Sequence, residues 1–411
     1  MVSKPLANIR VLDLSRILAA PWAVQMLGDW GAEVIKVERP RVGDDSRRFG
    51  PPFLKDADGK DTLQSAFFIS ANRNKKSVTI DLSKAAGQDL VRRLAAKSDV
   101  LVENYKVGDL KRYGLDYESL RAINPRLVYC SVTGFGQTGP YAARPGYDPV
   151  FQAMGGLMST TGLADGQPGG GPMKTGPALA DILAGQFALS AIMAALYHRD
   201  QHSGEGQHID VSLLDCVVAA MSHYASYYLV GGRPPERRGA EGGSGMPSGM
   251  YRCADQAIML VAGNQEQFNR LCEVLGCPEA IDLPEFRTVA LRGINRGQLA
   301  DLMEPLCATR QAAELLDALE HAGVPAGPIN DLAQVFADPQ VVSRGIEVTV
   351  PCQTSPGGTL RMVGNPVKYS ATPVDTYTAA PTLGQHTRQV LTDVLGLGSA
   401  EIDRLANESV V

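Results

Sequence analysis

Short apolar runs alternate with amphipathic stretches through the first half of the chain. NIRVLDLS (residues 8–15) and EVIKVE (33–38) read as buried strands, and between them Ala19 to Trp30 keeps a helical spacing that stops at Gly31. SVTIDL (77–82), SDVLVE (98–103) and LVYCSV (127–132) repeat the strand pattern, with helical stretches at 84–96 and 117–123 separating them. Strands of a parallel sheet are covered on both faces and so are apolar almost throughout. Their alternation with helices predicts βαβ units in a mostly parallel, Rossmann-like sheet. A long apolar helix is expected from Pro177 to about Arg199, proline being suited to a first turn. Residues 200–208 read as extended, and a second helix is expected at about 210–229. GGRPPERRGAEGGSGMPSG then reads as a long functional loop. The predicted organisation is a large α/β domain over 1–200, a linker helix over 201–225 and a smaller α/β domain over 226–328. A C-terminal segment, 329–411, returns to the large domain and ends in a short helix around Glu401 to Ala406.

Composition narrows the function. With 411 residues, 44% hydrophobic, the chain can bury a sizeable core. A net charge of −5 and a pI near 5.8 argue against a protein that tracks nucleic-acid phosphates. The seven cysteines include no C-x-x-C pair, the closest spacing being Cys272 to Cys277, which suggests reduced thiols in the cytoplasm. MVSKPLANIRVLDLS runs directly into a strand, so no signal peptide is expected. No apolar run is expected to approach the roughly 20 residues of a membrane span. The expectation is a soluble cytoplasmic enzyme.

Two glycine-rich stretches imitate phosphate loops. TGFGQTGPYAARPGYD (133–148) contains G-x-G-x-x-G directly after a strand, but a dinucleotide loop must open a helix at its third glycine, and Pro140 follows Gly139 at once. GQPGGGPMKTG (166–176) carries Met173 where a Walker A loop has its last glycine. All six histidines lie at or beyond residue 198. His198 and His202 stand four apart, but Arg199 replaces the glutamate of a zinc protease and His202 falls where the helix ends. GGSGM (242–246) ends in methionine and so is not a nucleophile elbow.

Asp181 stands out, an acid among apolar residues in the first turns of PALADILAGQFALSAIMAALYHR. By position alone the favoured reading is a helix-N-terminal acid stabilised by the dipole. The alternative is a partly buried carboxylate, with Ala178, Ala184 and Gly185 leaving room for a substrate, acting as a nucleophile.

The segments VLDLSRILAAPWAVQMLGDWGAEVIKVERP (11–40), NKKSVTIDL (74–82), DVLVENY (99–105), TGFGQTGP (133–140), GYD (146–148), LADILAG (179–185) and PTLGQHTRQVL (381–391), with the glycine-rich loop at 242–249, together resemble the class III CoA-transferases. This is the family of formyl-CoA and carnitine CoA-transferases, and it includes the α-methylacyl-CoA racemases. The resemblance implies that Asp181 is the covalent nucleophile, forming acyl anhydrides and an aspartyl-CoA thioester. Gly242, Gly243, Ser244 and Gly245 would offer bare amides to the developing charge. Coenzyme A would be a co-substrate, with no tightly bound cofactor. Carried over by position, its contacts are Leu18, Ala19, Arg39, Ile80, Asp81, Leu82, Ser83, Lys84, Asn104, Tyr105, Lys106 and Arg112. Ser83 stands where many relatives have lysine, and Lys84 follows it. Tyr147 and Asp148 occupy the place of the racemases' His-Asp pair. A tyrosine of pKa about 10 is poorly matched to α-proton exchange, so transfer is favoured over the alternative, racemisation. Tyr147 would contact the acyl group. Among Arg16, Arg47, Arg48 and Arg73, some would clamp an acceptor's second carboxylate with Phe49 walling the pocket, as in succinyl-CoA-dependent enzymes acting on dicarboxylates. The expected partners are an acyl-CoA and a free carboxylic acid, with neither nucleic acid nor membrane. The C-terminal segment must dock on its own large domain or on a partner's, and the resemblance implies an interlocked homodimer.

Overall fold

A computed structural model describes residues 4–242 and 246–411. The chain forms two compact units. The larger takes the chain through Leu157, then Thr175–Gly232 and Val342–Val411; the smaller takes Met158–Lys174 and Arg233–Val341. Residues 201–225, expected as a linker, thus lie within the larger unit.

The larger unit is built on six strands: β1 (Arg10–Asp13), β2 (Glu33–Glu38), β3 (Lys75–Thr79), β4 (Val100–Glu103), β5 (Val128–Thr133) and β6 (His208–Ser212). Their order is β3-β2-β1-β4-β5-β6 and every neighbouring pair is parallel. This is the doubly wound order. It reverses between β1 and β4, and a crevice opens there beyond the carboxyl ends of the strands. Five strands fall where the apolar runs predict them. The sixth corrects the expected helix from about 210 and the extended stretch at 200–208. HIDVS pairs with β5 from Tyr129↔His208 to Thr133↔Ser212, its branched Ile209 and Val211 suiting a strand, while 199–203 forms a wide π-helical turn.

One face of the sheet is covered by α1 (Ala19–Asp29) and α4 (Leu179–His198), which pack on each other. The other is covered by α2 (Ala85–Ala95) and the C-terminal helices α10 (Thr387–Asp393) and α11 (Ser399–Asn407). The C-terminal segment docks on its own sheet: Ser77 and Thr79 of β3 bond His386 and Thr387, and the Asp81 N–H donates to the Val410 carbonyl at 2.8 Å. The stretch Leu179–Ser203 is long and apolar enough to cross a membrane, which corrects the expectation that no run approached that length. It is a core helix: Ala180, Ala184, Ala188 and Ile192 are fully buried against α1 and the sheet. After β6 the chain forms α5 (Leu213–Ala220) and α6 (Ser222–Gly231), bent by 74° where the single long helix was expected. Ser222 takes φ +47° at the bend.

In the smaller unit, β7 (Ser248–Arg252), β8 (Ala257–Val261) and β9 (Ala326–Pro328) form an antiparallel sheet in the order β9-β8-β7. Helices α7 (Gln265–Leu275), α8 (Arg296–Ala308) and α9 (Ala312–His321) close its core around Phe268, Leu271, Leu299 and Leu315.

Candidate active site

The strand order sets the first half of the site. A cavity of about 400 Å³ lies beyond the carboxyl ends of β1 to β4, lined by Arg16 after β1, residues 36–39 and 42–45 from β2 onward, Ile80 to Ser83 after β3, and Tyr105, Asp109, Arg112 and Tyr113 after β4. Asn104 ties the edges of the crevice together. It accepts the Arg16 N–H at 2.9 Å and donates to the Arg16 carbonyl at 2.7 Å. The Arg16 guanidinium stands over the Tyr105 ring, 5.0 Å from its centre, and pairs with Asp45 at 3.2 Å. Arg39 and Arg112 are exposed at the rim, Arg112 with only a loose contact to Asp109 at 3.8 Å. Guanidinium groups so placed suit phosphate oxygens.

Beneath the cavity lies a frame of buried ions. Lys36 is wholly buried, 2.9 Å from Asp44 and 4.0 Å from Asp13. Burial opposes its charge, but Asp44, Asp13 and Glu38 hold its pKa above the ordinary lysine value. Burial likewise acts to raise the Asp44 carboxyl, yet Lys36 and Ser46 bring it down to about 2. Lys75 pairs with Asp13 at 2.9 Å, and burial together with the like charge of Lys36 pushes it down to about 8. Arg47 grips Glu38 through Nε and Nη2, both at 2.7 Å, and lies over Phe68. Arg73 grips Asp29 and donates to the Val363 carbonyl. Arg47 and Arg73 are therefore committed to the scaffold, which corrects the expectation that they might face an acceptor. Arg48 is exposed, beside Phe49, whose half-exposed ring meets Phe67 edge-on.

The second half of the site is the start of α4. Helix α3 (Asp148–Met154) begins with Asp148, a buried carboxylate that accepts the Ala180 N–H at 2.7 Å and the Asp181 N–H at 3.4 Å, and so caps α4. Gln152 fixes it, donating to Asp148 Oδ2 at 2.6 Å while its own carbonyl accepts the Thr175 N–H at 2.9 Å. Asp181 is partly buried, and no hydrogen bond to its carboxylate is made among the described residues. Burial and the neighbouring Asp148 charge raise its pKa to about 7. One turn on, on the same face, Gly185 brings α4 against α1: a Cβ there would stand 2.7 Å from the Ala19 carbonyl oxygen. Asp181 therefore faces the entry of α1, where the N-cap residue Leu18 makes no side-chain cap bond.

The cavity gathers Arg16, Arg39, Ile80, Asp81, Leu82, Ser83, Tyr105 and Arg112 of the predicted residues. Leu18 and Ala19 open α1, and Lys84 turns away to bond the Glu408 carbonyl. Lys106 faces a separate 230 Å³ pocket that it shares with Glu103 and His208. Tyr147 precedes α3 and is 65% exposed. Gly242 belongs to the smaller unit, where its N–H donates to the Ser248 carbonyl at 2.8 Å; Gly243, Ser244 and Gly245 lie outside the described residues. Gly134 of the G-x-G-x-x-G motif and Gly146 beyond it serve packing: a Cβ at either would come within 2.5 Å of the Phe151 ring. Sequence reasoning missed Lys36, Asp44 and Gln152. Asp44 follows a strand in a Gly-Asp-Asp turn, a recognisable signal, but Gln152 in mid-helix gives none.

Residues 6–387 match the model of CoA-transferase family III. The chain belongs to that family. It is 46% identical over 390 residues to a succinate–glutarate CoA-transferase of Agrobacterium fabrum, covering 95% of this chain and 96% of the relative. It is 40% identical over 408 residues to the human succinyl-CoA:glutarate CoA-transferase, covering 99% and 90%. Among solved structures, a CaiB/BaiF family protein from Brucella suis superposes with a TM-score of 0.85 at 41% identity, covering 95% of this chain and 100% of that one. Family III membership makes this an enzyme, a CoA-transferase of α/β fold.

Proposed function

We propose that the enzyme moves CoA from succinyl-CoA to glutarate or a similar dicarboxylate, with Asp181 as the nucleophile. The observation that carries the chemistry is the Asp181 carboxylate: first turn of α4, free of hydrogen-bond partners among the described residues, and raised to about 7. A carboxylate made more basic by its surroundings is a better nucleophile at neutral pH. It attacks the donor thioester carbonyl, and CoA leaves as a thiolate. The thiolate attacks the aspartyl carbonyl of the mixed anhydride, releasing the donor acid and leaving an aspartyl-CoA thioester. The acceptor carboxylate displaces the thiolate to form a second anhydride. The thiolate then attacks the acceptor's carbonyl, giving the new CoA ester and the free carboxylate. No proton is gained or lost over the cycle. The donor and acceptor named here are those of the relatives, and the exposed guanidinium groups of Arg39 and Arg112 at the rim of the cavity support a polyanionic ester.

Two further readings belong to this proposal. The enzyme acts as a homodimer: α6 buries none of its residues, with Leu229 79% and Val230 90% exposed, and apolar surface of that kind calls for a second copy. It works in the cytoplasm, a setting in keeping with its buried, unbridged cysteines.

The test is Asp181→Ala. Transfer from succinyl-CoA to glutarate, followed by mass spectrometry of the CoA esters, is expected to fall by at least about 10⁴-fold, with CoA affinity little changed. Hydroxylamine added to wild type with donor should mark Asp181 alone. In wild type, kcat/KM should rise with pH, levelling off above about 7 as Asp181 ionises. Full activity in the alanine variant would refute the assignment.

A further inference from the structure

Three consecutive residues between β1 and α1 are pinned from three directions. Lys36 Nζ donates to the Ser15 carbonyl at 2.8 Å. Asn104 takes both the N–H and the carbonyl of Arg16. The Ile17 N–H donates to both Asp44 carboxylate oxygens, at 3.1 and 3.3 Å. Ile17 needs such a grip, because its φ is +73°. A β-branched side chain in the left-handed region collides with its own backbone, and such strain persists only where the surroundings over-determine it. Asp44 is itself immobilised. Lys36 holds one oxygen at 2.9 Å, while the other accepts the Ser46 N–H and hydroxyl at 2.9 and 2.7 Å.

The location of this turn gives the strain its meaning. Arg16, Lys36 and Asp44 line the cavity on one side. On the other, Leu18 and Ala19 lead into α1, and Ala19 meets α4 at Gly185, one turn from Asp181. We infer that the buried Lys36–Asp44 pair is a positioning device for acyl transfer. By clamping the Ile17 N–H it holds the turn left-handed, so that the entry of α1 stands opposite Asp181 while Arg16 stays in the wall of the cavity. The inference rests on Asp181 being the nucleophile. Relaxation of Ile17 to an ordinary φ would rotate the peptides on either side and displace the entry of α1. Misplacement by about 1 Å near a reacting group can cost roughly 100-fold in rate.

The experiment is a rescue. Asp44→Asn is expected to lower kcat for succinyl-CoA to glutarate transfer by about 30-fold or more, with KM for succinyl-CoA changing less than about 3-fold. Adding Ile17→Gly should restore about 10-fold, because glycine takes the left-handed turn without a clamp. A merely structural role for Asp44 predicts the opposite, since a glycine in a loop enlarges unfolded-state entropy and lowers the melting temperature further. Ile17→Pro provides a second route that does not depend on Asp44→Asn folding. Proline fixes φ near −65° and lacks the N–H, so a folded variant should lose about 100-fold in kcat. A double variant no more active than Asp44→Asn, or a folded Ile17→Pro enzyme with wild-type kcat, overturns the inference. Hydroxylamine trapping on wild type separates the two levels. If Asp181 is not marked, the nucleophile assignment fails; if it is marked and rescue fails, only the clamp does.

Discussion

Two groups of buried charge lie within one unit of this enzyme, and they are built on opposite rules. Under the cavity a set of buried ions is paired with the other sign: Asp13 and Asp44 with Lys75 and Lys36, Glu38 with Arg47, Asp29 with Arg73. At the start of α4 two carboxylates, Asp148 and Asp181, stand together without a cation bonded to either among the described residues. Paired charges in low dielectric fix geometry, because removing either leaves the other unsolvated. Two acids side by side repel one another, and burial together with that neighbouring charge raises the pKa of Asp181. The first arrangement is scaffold. The second holds the acid proposed as the nucleophile.

Breaking the scaffold should give the larger effect on stability. Arg47→Ala leaves Glu38 buried at 3% exposure, with Ser77 and the Asp44 amide as its remaining direct partners. Unfolding in urea should show a loss of about 3–5 kcal/mol. Combining Glu38→Gln with Arg47→Met should recover most of it, since no unpaired charge then remains. If Arg47→Ala costs less than about 1 kcal/mol, the frame is not acting as buried ions do.

The acid pair should respond with the opposite sign. An acid whose folded pKa is raised costs stability as it ionises. Its cost is absent below the ordinary carboxyl value near 4, grows as pH rises to about 7, and is constant above that. Asp181→Asn should therefore stabilise the protein, by nothing near pH 4 and by about 1–2 kcal/mol at pH 8, the ceiling of about 4 kcal/mol being reduced by residual hydration and relaxation. Melting curves from pH 4 to 8 would check this. A variant advantage that shrinks with rising pH would mean that Asp181 is stabilised as an anion.

These two rules were unequally legible in the sequence. Apolar runs located β2 at its observed bounds and the other early strands within two residues or so, because burial on both faces leaves a strong signal. The strand at His208–Ser212 was lost because its polar residues, with His208 and Asp210 exposed at a sheet edge, broke that signal. The cavity was legible through family resemblance, since its lining comes from the ends of strands whose positions were already fixed. Arg47 and Arg73 were misread as possible substrate groups. Nothing in a sequence reveals that Glu38 or Asp29 will meet them across the fold. Asp181 was visible as an isolated acid in an apolar helix, but its like-charged neighbour Asp148 lies 33 residues away and becomes a neighbour only through the cap on α4.

The smallest effect should come from charges that belong to neither group. Arg39 and Arg112 sit at the rim, exposed, without the close carboxylate partners that hold Arg47 and Arg73. Removing them leaves no buried charge behind, so stability should hardly change. What they supply is attraction for an anion, and an exposed guanidinium–phosphate contact is moderated by solvent and salt. Arg39→Ala and Arg112→Ala are each expected to raise KM for succinyl-CoA by about 3- to 10-fold and to leave kcat nearly unchanged, the signature of binding lost equally from ground and transition states. The same KM should climb with ionic strength in wild type and climb less steeply in either variant. Because both residues would contact the CoA portion, shared by donor and product esters, the KM for glutaryl-CoA in the reverse direction should rise by a similar factor. A variant in which kcat falls while KM holds would place that arginine with Asp181 rather than at the rim.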